Sequence, residues 1–166
     1  MPKSDAQKTS VNIGEFTTSK SVGFLVRKAH LSYTRAMELR LREHGVSISM
    51  WGFLRLLWEK DGLSLKECSQ ELSLSQPTTV SAMNNLERRG LIRRVSNADD
   101  RRVTNIFLTD KGRNLRREII HYADETNAAA ESGLSNEEVD TLKSLLLRFN
   151  ASIELDIDSY YIKSEK

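Results

Sequence analysis

Only two residues, Ser73 and Leu74, separate two short stretches of helical pattern, and that spacing constrains the fold more than any other feature of the chain. So brief a link turns the second helix across the first, which is helix-turn-helix geometry. Ser64 is placed to cap the earlier helix, predicted to run to about Leu72, and Glu67 three residues on completes a capping box. Ser75 is the expected N-cap of the later helix. Pro77 falls in its first turn, where a missing N–H costs little, and Gly90 ends it. Thr79, Ala82, Met83 and Leu86 recur at i, i+3, i+4 and i+7 and form the predicted buried face. Thr78, Ser81, Asn84, Asn85 and Arg88 then point away from the core, with Gln76 near the helix N-terminus.

Hydroxyls, amides and a guanidinium on one helix face are groups that bind phosphate oxygens or read base edges in a major groove. A polar helix face alone is most often a solvated one, so the next segment decides the reading. Two strands are predicted at 91–95 and 103–108, with the polar cluster Ser96-Asn97-Ala98-Asp99 turning between them. Asp100-Arg101-Arg102 follows at the tip, an acid beside two bases, well built to hold a guanidinium against phosphate or in a narrow groove. A basic hairpin directly after a polar helix places two elements against the grooves of one duplex face.

Around this centre the pattern is helical. Residues 20–44 carry Val22, Leu25, Val26, Ala29, Tyr33, Ala36, Met37 and Leu41 at three- and four-residue spacing, with His44-Gly45 as the stop. Ser49 is read as the cap of a second helix through Trp51, Phe53, Leu54, Leu57 and Trp58, ended by Asp61-Gly62. Leu63-Ser64-Leu65 reads as a very short strand. Thr109 caps a helix with Asp110 in its first turn, predicted to continue through Leu115, Ile119, Tyr122 and Ala123 toward Ala130. After Gly133, Ser135 and Glu138 form a second capping box and open a last helix with Val139, Leu142, Leu145, Leu146 and Phe149. Beyond Asn150, Ile153, Leu155 and Ile157 alternate with acids, as an extended helix or a tail lying on a partner chain. The expected class is mainly α with a small β component.

Composition narrows the function. A chain of 166 residues suits one ordinary domain. Its polar first residues, and the lack of any run near the roughly 20 apolar residues of a membrane span, predict a cytoplasmic protein without a membrane partner. Cys68, the single cysteine, excludes an internal disulfide and paired-thiol zinc, and its stripe with Leu65 and Leu72 predicts a buried apolar role. His30, His44 and His121 have no metal-ligand spacing, and neither a phosphate loop nor a nucleophile motif is visible, so neither an enzyme nor a cofactor is expected. Charge is divided unevenly: residues 75–118 hold ten basic and five acidic side chains, whereas 119–166 hold four and ten. One region is therefore suited to a polyanion and the other is not.

The order of elements and the residues at the turns resemble the MarR family of winged helix-turn-helix regulators. Ser75-Gln76-Pro77-Thr78 is similar to the opening of that family's recognition helix, and Leu86-Glu87-Arg88-Arg89-Gly90-Leu91-Ile92 to its exit into the wing. Asp100 and Arg102 fit its Asp-x-Arg pair, and Leu108-Thr109-Asp110-Lys111-Gly112 the start of the following helix. The resemblance spans about 20–150, leaving a mobile arm at 1–19 and an acidic extension at 151–166 outside it. It implies a DNA-binding lobe at about 49–109, dimerisation helices at 20–44 and 110–150, and a two-fold homodimer on palindromic double-stranded DNA. Repression is the family's commoner mode, relieved by a small ligand or, in some members, by cysteine oxidation.

On this resemblance the DNA contacts fall to Ser75, Gln76, Pro77, Thr78, Ser81, Asn84, Asn85, Arg88, Arg101 and Arg102, with Asp100 orienting the wing. Ser81 and Asn85 stand where many members carry arginine, which shifts affinity toward the wing. Cys68 lies inside the helix-turn-helix, away from the N-terminal position of the oxidation sensors, and a peroxide switch is not expected. The effector is expected at the junction of dimer helices and DNA lobe, against His30, Tyr33, Met37, Trp51, Arg55 and Trp58; an aromatic carboxylate or acyl thioester fits those groups. The competing reading is a winged helix used for protein or RNA contact.

Overall fold

The computed structural model describes residues 21–164. In chain order it contains α1 (Val22–Leu41), a single 3-10 turn (Arg42–His44), α2 (Ile48–Glu59), α3 (Leu65–Glu71), α4 (Gln76–Arg88), β1 (Ile92–Ser96), β2 (Thr104–Leu108), α5 (Asp110–Ile119), α6 (His121–Glu131) and α7 (Asn136–Ser164). The chain forms two compact units divided after Gly112. The expected arm at 1–19, including the short ordered piece at Val11 to Phe16, lies outside the described residues.

In the first unit α4 packs on α2 and α3 and meets β1. Its apolar stripe is the predicted one: Thr79, Ala82, Met83 and Leu86 are all buried, at 0 to 3% exposure. They join Phe53, Leu54 and Leu57 of α2 and Ile92, Ile106 and Leu108 of the hairpin in one core. Ser64 caps α3 through the full reciprocal box, its Oγ accepting from Glu67 N and its own N–H donating to Glu67 Oε2 at 2.7 Å. Hydrogen bonding of the Glu67 carboxylate to the Ser64 backbone, and then to the Ser64 side chain, favours its ionised form and holds it below the usual range.

Four local expectations are corrected. The cap of α2 is Ser47, whose Oγ accepts from Met50 N, and not Ser49, which lies inside the helix. The expected strand at Leu63-Ser64-Leu65 is a single antiparallel bridge, Ser64 to Asn105, flanked by the bond from Ile106 N to Leu63 O. The hairpin strands each begin one residue later than predicted, with Ile92 opposite Leu108 and Ser96 opposite Thr104. The helix expected to run unbroken from 110 toward 130 is divided at Ile120 into α5 and α6.

Two contacts fix the C-terminal end of α4. Arg89, just past α4, donates from Nη2 to His44 O at 2.7 Å and from Nη1 to Gly45 O, where the chain turns left-handed after α1 (Gly45 φ 61°). Lys111 Nζ donates to Arg89 O at 3.0 Å. The start of α5 sits so close to the strand that a Cβ on Gly112 would clash with Leu91 O, while Gly112 O accepts from Trp58 Nε1 at 2.9 Å. Glycine is required there for approach and not for conformation.

In the second unit, Ser135 and Glu138 form the expected capping box at the start of α7. The helix then runs without interruption to Ser164, so the acidic stretch after Asn150 is helical. Among the described residues no helix is long and apolar enough to cross a membrane.

Candidate nucleic-acid interface

Three elements of the first unit present polar groups beside one another. Ser75 caps α4 by accepting from Thr78 N at 3.4 Å, its hydroxyl also paired with Thr78 Oγ1 at 2.8 Å. Gln76 reaches back to α3, donating from Nε2 to Ser69 Oγ at 3.0 Å, and the buried Ser69 donates in turn to Lys66 O. That relay ties the two helices of the helix-turn-helix together. It occupies one donor of Gln76 and leaves its carbonyl as the free acceptor.

Pro77, Thr78, Ser81 and Asn85 of α4 line an open hollow of about 420 Å³ with Ser47 and Ser49 at the start of α2. The first N–H groups of α2 carry the positive end of its dipole toward this hollow. Ser75, Gln76, Pro77, Thr78, Ser81, Asn84 and Arg88 are exposed, and Asn85 is half-buried. Sequence reasoning missed Ser47, which follows the buried Val46.

The hairpin closes through an Asx turn. Asn97 Oδ1 accepts from the backbone of Asp99 and Asp100 at 2.9 and 3.0 Å, and Asn97 N donates to Val103 O. This geometry turns Asp100 toward Arg102, whose Nε and Nη2 each donate to the carboxylate at 3.0 Å. These bonds hold the Asp100 carboxyl below its usual range and push the Arg102 guanidinium above its own. Arg102 is 91% exposed while so held, and Arg101 beside it is exposed as well. An exposed pair of this kind adds little stability. It aims a charge.

Two further arginines, on β1, were not singled out in the sequence. Arg93 lies over the Phe107 ring at 5.2 Å. Arg94 turns to the other face and joins Glu87 and Asn84 of α4, each at 2.8 Å.

The side chains expected to line an effector site differ in burial: two are buried, two half-buried and two exposed. Met37 is fully buried and Trp51 is 5% exposed, its ring edge-on to Trp58 at 5.8 Å. Arg55 lies over Trp51 at 5.9 Å, His30 is exposed and Tyr33 is half-buried. Cys68 is buried, and burial pushes its thiol up to about 11. Among the described residues no three His, Cys, Asp or Glu side chains are grouped to hold a metal.

Residues 46–104, from just before the cap of α2 to the start of β2, match the MarR family. The chain is 38% identical over 93 residues to the HTH-type transcriptional regulator TtmR of Methylorubrum extorquens, a match covering 56% of this chain and 48%, about half, of TtmR. It is 30% identical over 105 residues to the regulator MgrA of Staphylococcus aureus, covering 63% of this chain and 70% of MgrA. The chain belongs to the MarR family. The MarR fold is also evident in the crystal structure of an S. aureus MepR–DNA complex, which aligns with a TM-score of 0.75 and 28% identity over 80% of this chain and 98% of MepR. The helix-turn-helix and hairpin described above are thus the winged helix of a MarR-family chain.

Proposed function

We propose that this MarR-family chain acts as a homodimeric, sequence-specific regulator that lays α4 in the major groove of double-stranded DNA and the wing tip in the neighbouring minor groove. The observation that carries the reading is the exposed Arg102, fixed by Asp100 at the tip of a hairpin that directly follows the exposed polar face of α4. A guanidinium held in advance loses less freedom on binding than a mobile one. The hollow between the start of α2 and α4 supports the same reading, since a phosphate there would meet helix-end N–H groups and the Ser47 and Ser81 hydroxyls. Two subunits would read two half-sites of a palindrome about one DNA turn apart. We propose repression as the mode, through occupancy of the operator.

Selection of bound duplexes from a random pool, followed by affinity measurements across a salt series, tests this. A palindromic consensus is expected. Arg102→Ala should weaken binding to every duplex and flatten the plot of log affinity against log salt by roughly 0.9 per lost phosphate contact. A variant that binds like the wild type at all salt concentrations removes the wing from the interface.

A further inference from the structure

We infer that Arg94 decides which base edge Asn84 reads, by holding that asparagine's carbonyl and leaving only its N–H groups to DNA. The inference rests on the DNA-binding reading above and concerns its specificity.

Along β1 the side chains alternate. Ile92 is buried, Arg93 is exposed, and Arg94 returns to the Ile92 side, where it meets α4. Its Nη1 donates to Glu87 Oε2 and its Nη2 to Asn84 Oδ1, both at 2.8 Å. Asn84 and Glu87 are three residues apart on α4 and so lie on one face, a span that suits the planar fork of arginine. The Arg94 side chain is 29% exposed, so the fork sits in a partly closed seam, whereas Asn84 is exposed.

A guanidinium has donors only, so the Asn84 atom it faces is the carbonyl oxygen. The amide is thereby oriented, and its two Nδ2 hydrogens are what a duplex can meet. An unrestrained asparagine donates to N7 of adenine and accepts from N6 at once. With its oxygen turned to Arg94 and one of its two lone pairs taken there, Asn84 meets the duplex through its N–H groups. In the major groove guanine offers two acceptors side by side, thymine one, and adenine one whose neighbour is the N6 donor, whereas cytosine offers a donor. Asn84 therefore favours guanine, then thymine, over adenine. Asn85 repeats the arrangement, its Oδ1 accepting from Arg88 Nη2. Arg94 itself is a positioning residue, its charge balanced by Glu87.

The test is base selection from a random duplex pool by four forms of the full chain. Asn84→Ala identifies the position read, as the one whose preference disappears. At that position the wild type should select guanine or thymine. The double variant Arg94→Ala/Glu87→Gln removes the fork together with the carboxylate it would leave unpaired, and should gain adenine there by on the order of tenfold. Asn84→Asp keeps the fork but replaces the N–H donors with an acceptor, and should turn the preference to cytosine or adenine. The inference is overturned if the double variant, melting at the wild-type temperature, still selects the wild-type base. It is equally overturned if Asn84→Asp does so, or if Asn84→Ala changes no position. Should the double variant fail to fold, Asn84→Asp alone decides. A wild type that binds no duplex would overturn the DNA-binding reading, and this inference with it.

Discussion

Asp100 receives Arg102 from three directions: the backbone N–H at 2.9 Å, Nε and Nη2. Asp100→Ala removes a negative charge from a surface proposed to meet phosphate, and simple electrostatics would raise affinity. The orienting role gives the opposite result: affinity should fall several-fold by fluorescence anisotropy, and a rise would refute the role. Because the folded carboxyl is held low, the pair is intact above the ordinary carboxylate value of 3.8 and is lost only as pH falls through the lower folded value. From neutral to mildly acid conditions, then, titration of Asp100 should leave DNA affinity unchanged. Cys68 gives a second prediction at this scale. With burial raising its thiol to about 11, the reactive thiolate is scarce at neutral pH. Iodoacetamide should label the native chain far more slowly than the unfolded one, and peroxide should leave DNA binding unchanged; rapid labelling of the folded protein would contradict this.

At the scale of elements, the close approach of the first turn of α5 to Leu91 depends on Gly112. Gly112→Ala places a methyl against the Leu91 carbonyl, backbone that cannot swing aside, and should destabilise by about 1–3 kcal/mol in urea titration. Unchanged stability would mean that this junction yields easily. The beginnings of α3, α4 and α7 were legible in the sequence because Ser64, Ser75 and Ser135 bond to their own first turns, a signal confined to four consecutive residues. At α2 two serines bracket Ile48, and local pattern alone did not favour Ser47 over Ser49. The division at Ile120 carries no glycine or proline, the usual breakers, so nothing in the sequence marked it. The wing was legible as a turn with paired charges. The seam of Arg94, Glu87 and Asn84 was not, since it exists only once the hairpin folds back beside α4.

For the molecule as a whole, α7 poses the question of what covers it. Leu142, Leu146, Phe149, Ile153 and Ile157 fall at four- and three-residue spacing on one side of the 29-residue helix, each 38 to 46% exposed. A continuous apolar stripe of that length is the pattern of a helix with a partner. A second copy is the occupant that the proposed two-fold DNA reader requires, because one set of residues then serves both sides. Phe149→Glu/Ile153→Glu should shift the sedimentation profile from dimer to monomer. Affinity for a two-half-site duplex should drop at least roughly tenfold, since two linked sites bind far better than one. If the variant stays dimeric, the stripe is not the interface.

The bonds that end α4 have a mechanical consequence. Arg89 grips two carbonyls at the close of the turn after α1, and Lys111 grips the carbonyl of Arg89 itself. A displacement of the end of α1 reaches α4 as tension through two short bonds, before any core side chain has to repack. Either the bonds break or α4 follows. The joint thus makes the tilt of α4 a dependent variable of α1, so that, if α4 reads DNA as proposed, whatever bears on α1 is felt in the groove.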